Sequence, residues 1–181
     1  MAQFYPRLDD ALKAFIAEQH LFFVASAPGE GRVNLSPKGM DTFRVIDDTT
    51  ACYLDLTGSG NETAAHLRDN GRITVMWCSF GGTARIMRIF GKGRVARPGS
   101  ADFERLIALF PSIPGTRQIV VIDIDEAQTS CGYGVPQYDL NRERPTLVKW
   151  AEKKGEDGLR DYRARKNVRS IDGLPTGLFD E

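Results

Sequence analysis

The chain has 181 residues, of which 41% are hydrophobic and 27% charged, and its 24 Lys and Arg balance 24 Asp and Glu. This length suits one compact domain, and the zero formal net charge argues against a general nucleic-acid-binding protein, which carries a basic excess. Neither a membrane span nor a secretory signal is expected, because no apolar run approaches ~18 residues and the N-terminus lacks a basic and an apolar region.

Hydrophobic periodicity and turn signals predict a strand-rich chain with helices at intervals. In chain order, the patterns predict a helix over 7–19, strands over 21–27, 32–36, 43–46 and 51–56, a helix over 61–70, strands over 73–80 and 84–95, a helix over 100–110 and a strand over 117–124. The first helix is indicated by an apolar stripe through Leu8, Leu12 and Phe15. Pro37 is expected to end the second strand, because proline cannot donate to a strand ladder.

The order of these elements predicts the fold class. Strands follow one another through short turns, which indicates a mainly β protein: an antiparallel sheet or small barrel with peripheral helices (α+β), not a repeating βαβ unit. After Gln128 the chain becomes polar, and residues 141–169 hold ten Lys and Arg against five Asp and Glu. We therefore expect a barrel domain over 1–136 and a helical C-terminal extension over 137–181, packed on the barrel or on a partner subunit.

The chain has three cysteines, Cys52, Cys78 and Cys131, and two histidines, His20 and His66. An odd number of widely spaced cysteines fits reduced thiols in a cytoplasmic protein better than a disulfide framework. Because no Cys-x-x-Cys pair is present and the histidines are far apart in sequence, no metal site is expected. A nucleophilic role for Cys131 is disfavoured, since no histidine lies near it in sequence.

The strongest chemical signal is the junction from Asp55 to Thr63, where a strand ends, glycines turn the chain and a helix begins. Free backbone N–H groups at a helix N-terminus, beside small hydroxyl side chains, form an anion site for which phosphate is the common ligand. The spacing Ser59-x-x-Glu62 also predicts a capping box, in which each side chain satisfies a backbone donor of the other residue. The two interpretations are compatible, since a capped helix end still leaves amides free for a ligand.

A second polar cluster lies on the strand predicted over 32–36. Alternation places Arg32, Asn34 and Ser36 on one face, and Lys38 follows past the proline. This face offers cations, an amide and a hydroxyl, which are the donors that phosphate oxygens and polar ring edges need. The alternative interpretation is the solvated face of an edge strand.

Two arginines lie in the apolar strand predicted over 84–95. Arg85 and Arg88 are three residues apart, so they are expected to point to opposite faces of the strand. Their apolar neighbours indicate partial burial and hence a partner, which is either a structural ion pair or a ligand.

Taken together, these segments resemble the FMN-binding split-barrel proteins related to pyridoxamine 5′-phosphate oxidase. The resemblance extends from Phe22 to Val95, and the β run near Ile119–Ile124 completes the barrel. It is carried by a series of motifs: Arg-x-x-Leu-x-x-Lys at Arg32–Lys38, a strand ending in Thr57, a Gly/Ser turn into a helix, Val-x-Trp at Val75–Trp77, and Arg-x-x-Arg-x-x-Gly at Arg85–Gly91.

The resemblance implies a homodimer with FMN in a groove between the subunits and the FMN phosphate held by basic and hydroxyl groups. It implies cofactor-binding roles for Arg32, Ser36 and Lys38 on the first strands, for Thr57, Ser59, Asn61 and Thr63 at the strand-to-helix turn, and for Arg85 and Arg88 on the later strand. Cys131 and Tyr133 are expected to line the groove over the flavin ring. The resemblance assigns no catalytic side chain.

The sequence departs from true pyridoxamine 5′-phosphate oxidases in three places. Asn61-Glu62-Thr63 replaces their Ser-Arg-Lys at the helix start, Ile86 replaces a Gln, and their C-terminal Arg-x-Ala-Pro ending is absent. We therefore predict an FMN-binding flavoprotein and oxidoreductase of this class whose substrate is open, and oxidation of the vitamin is not expected. The alternatives are a non-catalytic flavin- or haem-binding module, and a deazaflavin-dependent reductase whose longer anionic tail would use the basic segment 141–169.

Overall fold

The computed structural model describes residues 2–180, over which the chain forms eight strands and four helices. In chain order they are β1 (Gln3–Tyr5), α1 (Asp10–Ala17), β2 (Phe22–Ser26), β3 (Asn34–Lys38), β4 (Phe43–Val45), β5 (Thr50–Leu56), α2 (Glu62–Asp69), β6 (Arg72–Cys78), β7 (Arg85–Ala96), α3 (Ala101–Ile107), β8 (Thr116–Cys131) and α4 (Thr146–Lys166).

All eight strands belong to one antiparallel sheet with the order β3-β2-β6-β7-β8-β5-β4, and β1 pairs with the far end of β8. The sheet curls into a half-barrel, which confirms the predicted split β-barrel with peripheral helices. The 16-residue β8 is the hub of the sheet, because β7 pairs along most of its length while β5 and β1 pair with its two ends.

The curled sheet separates two hydrophobic clusters. The larger one lies inside the curl, where Trp77, Tyr53 and Met87 are almost completely buried and the apolar stripe of α1 packs against them. The smaller one lies under α3, which buries Phe103 and Leu106 against the opposite face of β5 and β8. Because both faces of these two strands are covered, they show continuous apolar runs rather than alternation.

The structure corrects several element boundaries. The expectation that Pro37 ends the second strand is wrong: β3 continues to Lys38, and Pro37 is paired with Phe23. The proline is tolerated because β3 is an edge strand, so the missing N–H group has no neighbour on the open side. β8 runs seven residues beyond the predicted end at 124, so Cys131 is its last residue.

The chain beyond residue 136 contacts the barrel through α4 and the residues that follow it. α4 buries Ala151 and Leu159, and it is interrupted at Gly155, whose φ of 63° lies outside the helical range. Near its C-terminal end, Arg163 donates hydrogen bonds to the backbone carbonyls of Gly115 and Thr116 at the start of β8. Within residues 2–180, no helix combines the length and the apolar character that crossing a bilayer requires.

Candidate functional site

A polar pocket of about 340 Å³ lies where the end of β3, the end of β5 and the beginning of α2 meet. We call it the junction pocket. Five of the predicted site residues line it: Ser36, Lys38, Ser59, Asn61 and Thr63. The structure thus brings together the two polar clusters, whose facing ends, Lys38 and Asp55, are 17 positions apart in the sequence.

β3 presents its polar side chains to the junction pocket because strand residues alternate between faces. Asn34, Ser36 and Lys38 point inward, whereas Leu35 between them is 63% exposed. The inward groups are ordered by hydrogen bonds, since Asn34 Nδ2 donates to Thr63 Oγ1 at 3.3 Å and Ser36 Oγ donates to Asn34 Oδ1 at 3.1 Å. The edge strand and the start of α2 therefore form one polar wall.

A buried ion pair lies beneath the junction pocket. The guanidinium of Arg117 donates to Asp55 Oδ2 from Nη2 at 2.7 Å and from Nε at 3.1 Å, and Lys38 Nζ donates to Asp55 Oδ1 at 3.2 Å. The side chains of Arg117 and Asp55 are only 4% and 6% exposed. Two cations thus meet one carboxylate, which leaves local positive charge at the wall of the pocket.

The neighbouring cations keep Asp55 ionised. Burial alone would raise the pKa of Asp55, but the charges of Arg117 and Lys38, together with hydrogen bonds from Arg117 and Gln118, lower the pKa to about 2. The ionised carboxylate in turn holds both cations in place, because buried charges are stable only when they are paired and hydrogen-bonded to each other.

The low pKa of Asp55 predicts acid sensitivity. Since the folded pKa of about 2 lies below the ordinary value of 3.8, the stability that this group contributes is full above about pH 4 and is lost as the pH falls towards 2. We expect the free energy of unfolding, measured in denaturant across this window, to decline less steeply for Asp55→Asn than for the wild type. Equal slopes for the two proteins would contradict the assignment.

An amide network extends the ion pair to the C-terminal segment. Gln118 Nε2 donates to Asp55 Oδ2 and to Asn61 Oδ1, both at 2.8 Å. Arg117 Nη1 donates to Asn167 Oδ1 at 2.8 Å, and Asn167 Nδ2 donates to the Gly58 carbonyl at 3.1 Å. Because the Asn167 side chain is completely buried, the segment after α4 is part of the wall that supports the pocket.

The capping box predicted for Ser59 and Glu62 is wrong. Asn61 is the N-cap residue of α2, and its side chain makes no capping hydrogen bond. The Glu62 carboxylate instead accepts the backbone N–H of Ile171 at 3.0 Å, a contact between residues 109 positions apart that local spacing cannot reveal. Within residues 2–180, no side chain caps the N-terminus of α2, so its first-turn N–H groups remain available to a ligand.

Gly58 opens the junction pocket at the turn between β5 and α2. A Cβ atom built on this glycine would meet no heavy atom within 4 Å. Because Gly58 lines the pocket, its lack of a side chain lets a ligand approach the backbone closely.

Two of the predicted binding residues are near the junction pocket but engaged elsewhere. Arg32 forms an ion pair with Asp172, and its side chain is 68% exposed. Thr57 is buried: its hydroxyl donates to the Gly115 carbonyl at 2.8 Å and accepts from Arg163 Nε at 2.8 Å. Neither residue lines the pocket.

The remaining predicted residues lie away from the junction pocket within this subunit. Arg85 is on the core side of β7, with its guanidinium 5.7 Å from the centre of the Phe15 ring. Arg88 is on the other face, where β6 and β8 flank it, so the expectation that these arginines point to opposite faces agrees with the strand pattern. Cys131 ends β8 and is exposed, and Tyr133 is 86% exposed.

Sequence reasoning missed the charged and amide side chains beneath the pocket. These are Asp55, Arg117, Gln118, Arg163 and Asn167. A signal exists for Asp55 and Arg117, because each lies within or beside a strand that is otherwise apolar, where an isolated charge requires a buried partner. No comparable signal marks Asn167, which lies in a polar segment.

Comparisons with known proteins agree with this architecture. A sequence profile of the family described as pyridoxamine 5′-phosphate oxidase matches residues 8–131. An Aspergillus flavus protein, described as pyridoxamine 5′-phosphate oxidase family protein ustO, is 43% identical over 196 residues, covering 97% of this chain and 78% of its own.

Solved structures show the same fold at low sequence identity. A candidate pyridoxamine 5′-phosphate oxidase from Lactobacillus delbrueckii has a TM-score of 0.54 and 15% identity, covering 68% of this chain and 94% of its own. A single-residue variant of HupZ from Group A Streptococcus has a TM-score of 0.52 and 20% identity, and the match covers 67% of this chain and 98% of the HupZ chain. The profile match and the fungal relative confirm the resemblance seen in the sequence: the chain belongs to the pyridoxamine 5′-phosphate oxidase family.

Proposed function

We propose that the junction pocket binds the phosphate of FMN and that the protein is an FMN-dependent oxidoreductase. The observation that carries this proposal is the convergence of Lys38, the hydroxyls of Ser36, Ser59 and Thr63, and the uncapped N-terminus of α2 on one cavity. An ammonium group, small hydroxyls and helix N–H groups together form a donor set suited to phosphate. Membership of the family supports FMN as the molecule that carries this phosphate.

The detailed chemistry of the pocket fits such an anion. Glu62, the one carboxylate that replaces a family cation at the helix start, is held by the N–H of Ile171. The open space beside Gly58 provides room against the backbone.

The residues of this chain would bind and orient the cofactor. Lys38 would donate from Nζ to a phosphate oxygen while Asp55 fixes its position from below. The hydroxyls of Ser59 and Thr63 would donate alongside the amides of α2 and so set the depth of the phosphate. FMN, when bound, supplies the redox chemistry, and the protein supplies its placement.

A homodimer is part of this proposal, and the outer face of the sheet supports it. Phe23 pairs with Met76 across β2 and β6, and Phe90 of β7 lies on the same face; all three are only partly covered within one subunit. A half-buried apolar sheet face is typical of a surface that a second copy covers. Arg88 lies on this face beside Met76, so in a dimer it would stand at the subunit boundary, where the family resemblance places the flavin.

The test begins with the visible absorption spectrum of the purified protein before and after incubation with FMN and desalting. Flavin bands that stay with the protein, together with a dimeric mass in sedimentation, are the expected result. Consumption of NADH or NADPH by the loaded protein would then establish turnover, and its absence across electron donors would favour a non-catalytic module. Failure to retain FMN would overturn the proposal, and tighter binding of a deazaflavin or haem would replace it.

A further inference from the structure

A second cavity, of about 580 Å³, adjoins the junction pocket on the side of the C-terminal segment. We call it the basic groove. Its lining includes Arg32, Val33, Glu62, Lys166, Arg169 and Ile171. We propose that the basic groove binds the adenylate half of FAD, so that the protein accepts the flavin dinucleotide as well as FMN. This inference rests on the proposed function, because it places the flavin phosphate in the junction pocket.

The two cavities are adjacent and share part of their walls. Four residues line both of them: Asn34, Ser59, Gly60 and Glu62. A ligand whose first phosphate occupies the junction pocket therefore reaches the basic groove without crossing the protein interior. The group that follows this phosphate in FAD, and is absent from FMN, is a second phosphate joined to adenosine.

The basic groove carries positive charge that the protein itself does not neutralise. Within residues 2–180, Lys166 and Arg169 form no ion pair, and Arg169 is held only by a hydrogen bond from Nη1 to the Gly173 carbonyl at 2.9 Å. The nearby carboxylates are occupied, since Asp172 pairs with Arg32 and Glu62 accepts the N–H of Ile171. Two free cations beside a phosphate pocket favour a second anionic group of the same ligand.

The groove also offers apolar surface suited to a planar base. Val33 is 74% exposed and Ile171 is 70% exposed, although both are β-branched hydrophobic residues beside the charged rim. Because both side chains line the same cavity, we assign them as the contact surface for the adenine ring. Cations for a phosphate and aliphatic side chains for a ring are the two features that an adenylate requires.

The experiment compares FMN and FAD binding to the full chain by flavin fluorescence titration. The wild type is expected to bind FAD about tenfold more tightly than FMN, because the two partly solvated cations attract the second phosphate that FMN lacks. The double variant Lys166→Ala/Arg169→Ala should lose about this tenfold preference while its affinity for FMN stays unchanged. The matched control, Lys153→Ala/Arg160→Ala, removes the same charge from exposed positions of α4 outside the groove and should keep the preference.

Each result separates this inference from the function on which it depends. FMN binding without a preference for FAD, or an equal loss of preference in the control, would refute the role of the basic groove. The proposal that the junction pocket binds the FMN phosphate would not be affected. Failure to bind either flavin overturns both. Thermal unfolding of all variants shows whether a loss of binding reflects a loss of folding.

Discussion

Replacing Arg117 with methionine should lower the free energy of unfolding by about 3–5 kcal/mol, the cost of breaking a buried ion pair from one side. Methionine preserves much of the volume but leaves Asp55 with an incompletely paired charge in a buried site. It also removes the donors to the Gly60 carbonyl and to Asn167 Oδ1, which then lie buried without that partner. Chemical denaturation at neutral pH measures the change.

The matched control is Arg94→Met, which breaks an ion pair of similar length at the surface. Arg94 lies 3.1 Å from Asp102, and the two side chains are 49% and 43% exposed. Solvent screens this pair, so its loss should cost about 0–1 kcal/mol. If both variants lost the same stability, the network around Arg117 would not be the structural support that its burial indicates.

Replacing Lys38 with methionine should weaken FMN binding by roughly 10- to 100-fold, because a hydrogen bond to a charged group contributes about 1.5–3 kcal/mol. Both Lys38 and Arg117 line the junction pocket, but the Lys38 side chain is 21% exposed, whereas that of Arg117 is 4% exposed and donates two hydrogen bonds to Asp55. The fold should tolerate the change, since Arg117 and Gln118 continue to hold the Asp55 carboxylate.

Fluorescence titration of FMN against wild type and Lys38→Met provides the measurement. Lys92→Met is the control, because Lys92 is a β7 cation whose Nζ donates to the Asn70 carbonyl and does not line the junction pocket. An unchanged FMN affinity in Lys38→Met would refute the phosphate assignment. An equal loss in both variants would show that only the overall charge matters.

Local patterns were sufficient to predict an antiparallel, strand-rich chain with peripheral helices, and the family resemblance specified the split barrel. Alternation, β-branched runs and turn residues specify short antiparallel strands, and the apolar run from Ile119 to Ile122 predicts a further strand. The patterns misplaced the ends of strands whose boundaries depend on pairing with strands distant in sequence. β1 is three residues long and is defined by its pairing with β8, and Pro37 is accommodated by an open edge.

Only the lining residues of the junction pocket that belong to short motifs were predictable from the sequence. Lys38, Ser59 and Thr63 belong to short sequence motifs that predict an anion site. The supporting layer joins Asp55 to Arg117 across 62 positions and Arg117 to Asn167 across 50, and nothing in local spacing encodes such contacts. The same reason accounts for the failed capping box, whose glutamate has a distant partner.

The central place of β8 determines the order in which the chain can fold. The hairpins β2–β3 and β6–β7 join segments close in sequence, so they can form while the chain is still being synthesised. By contrast, β1 joins the sheet through β8, which pairs Gln3 with Thr129. β5 forms a local hairpin with β4, and the two join the other strands through β8, which pairs Thr50 with Asp123. The strand that completes the sheet also carries Arg117 beside the junction pocket, so a nascent chain can complete this pocket only after β8 and the later Asn167 have been synthesised.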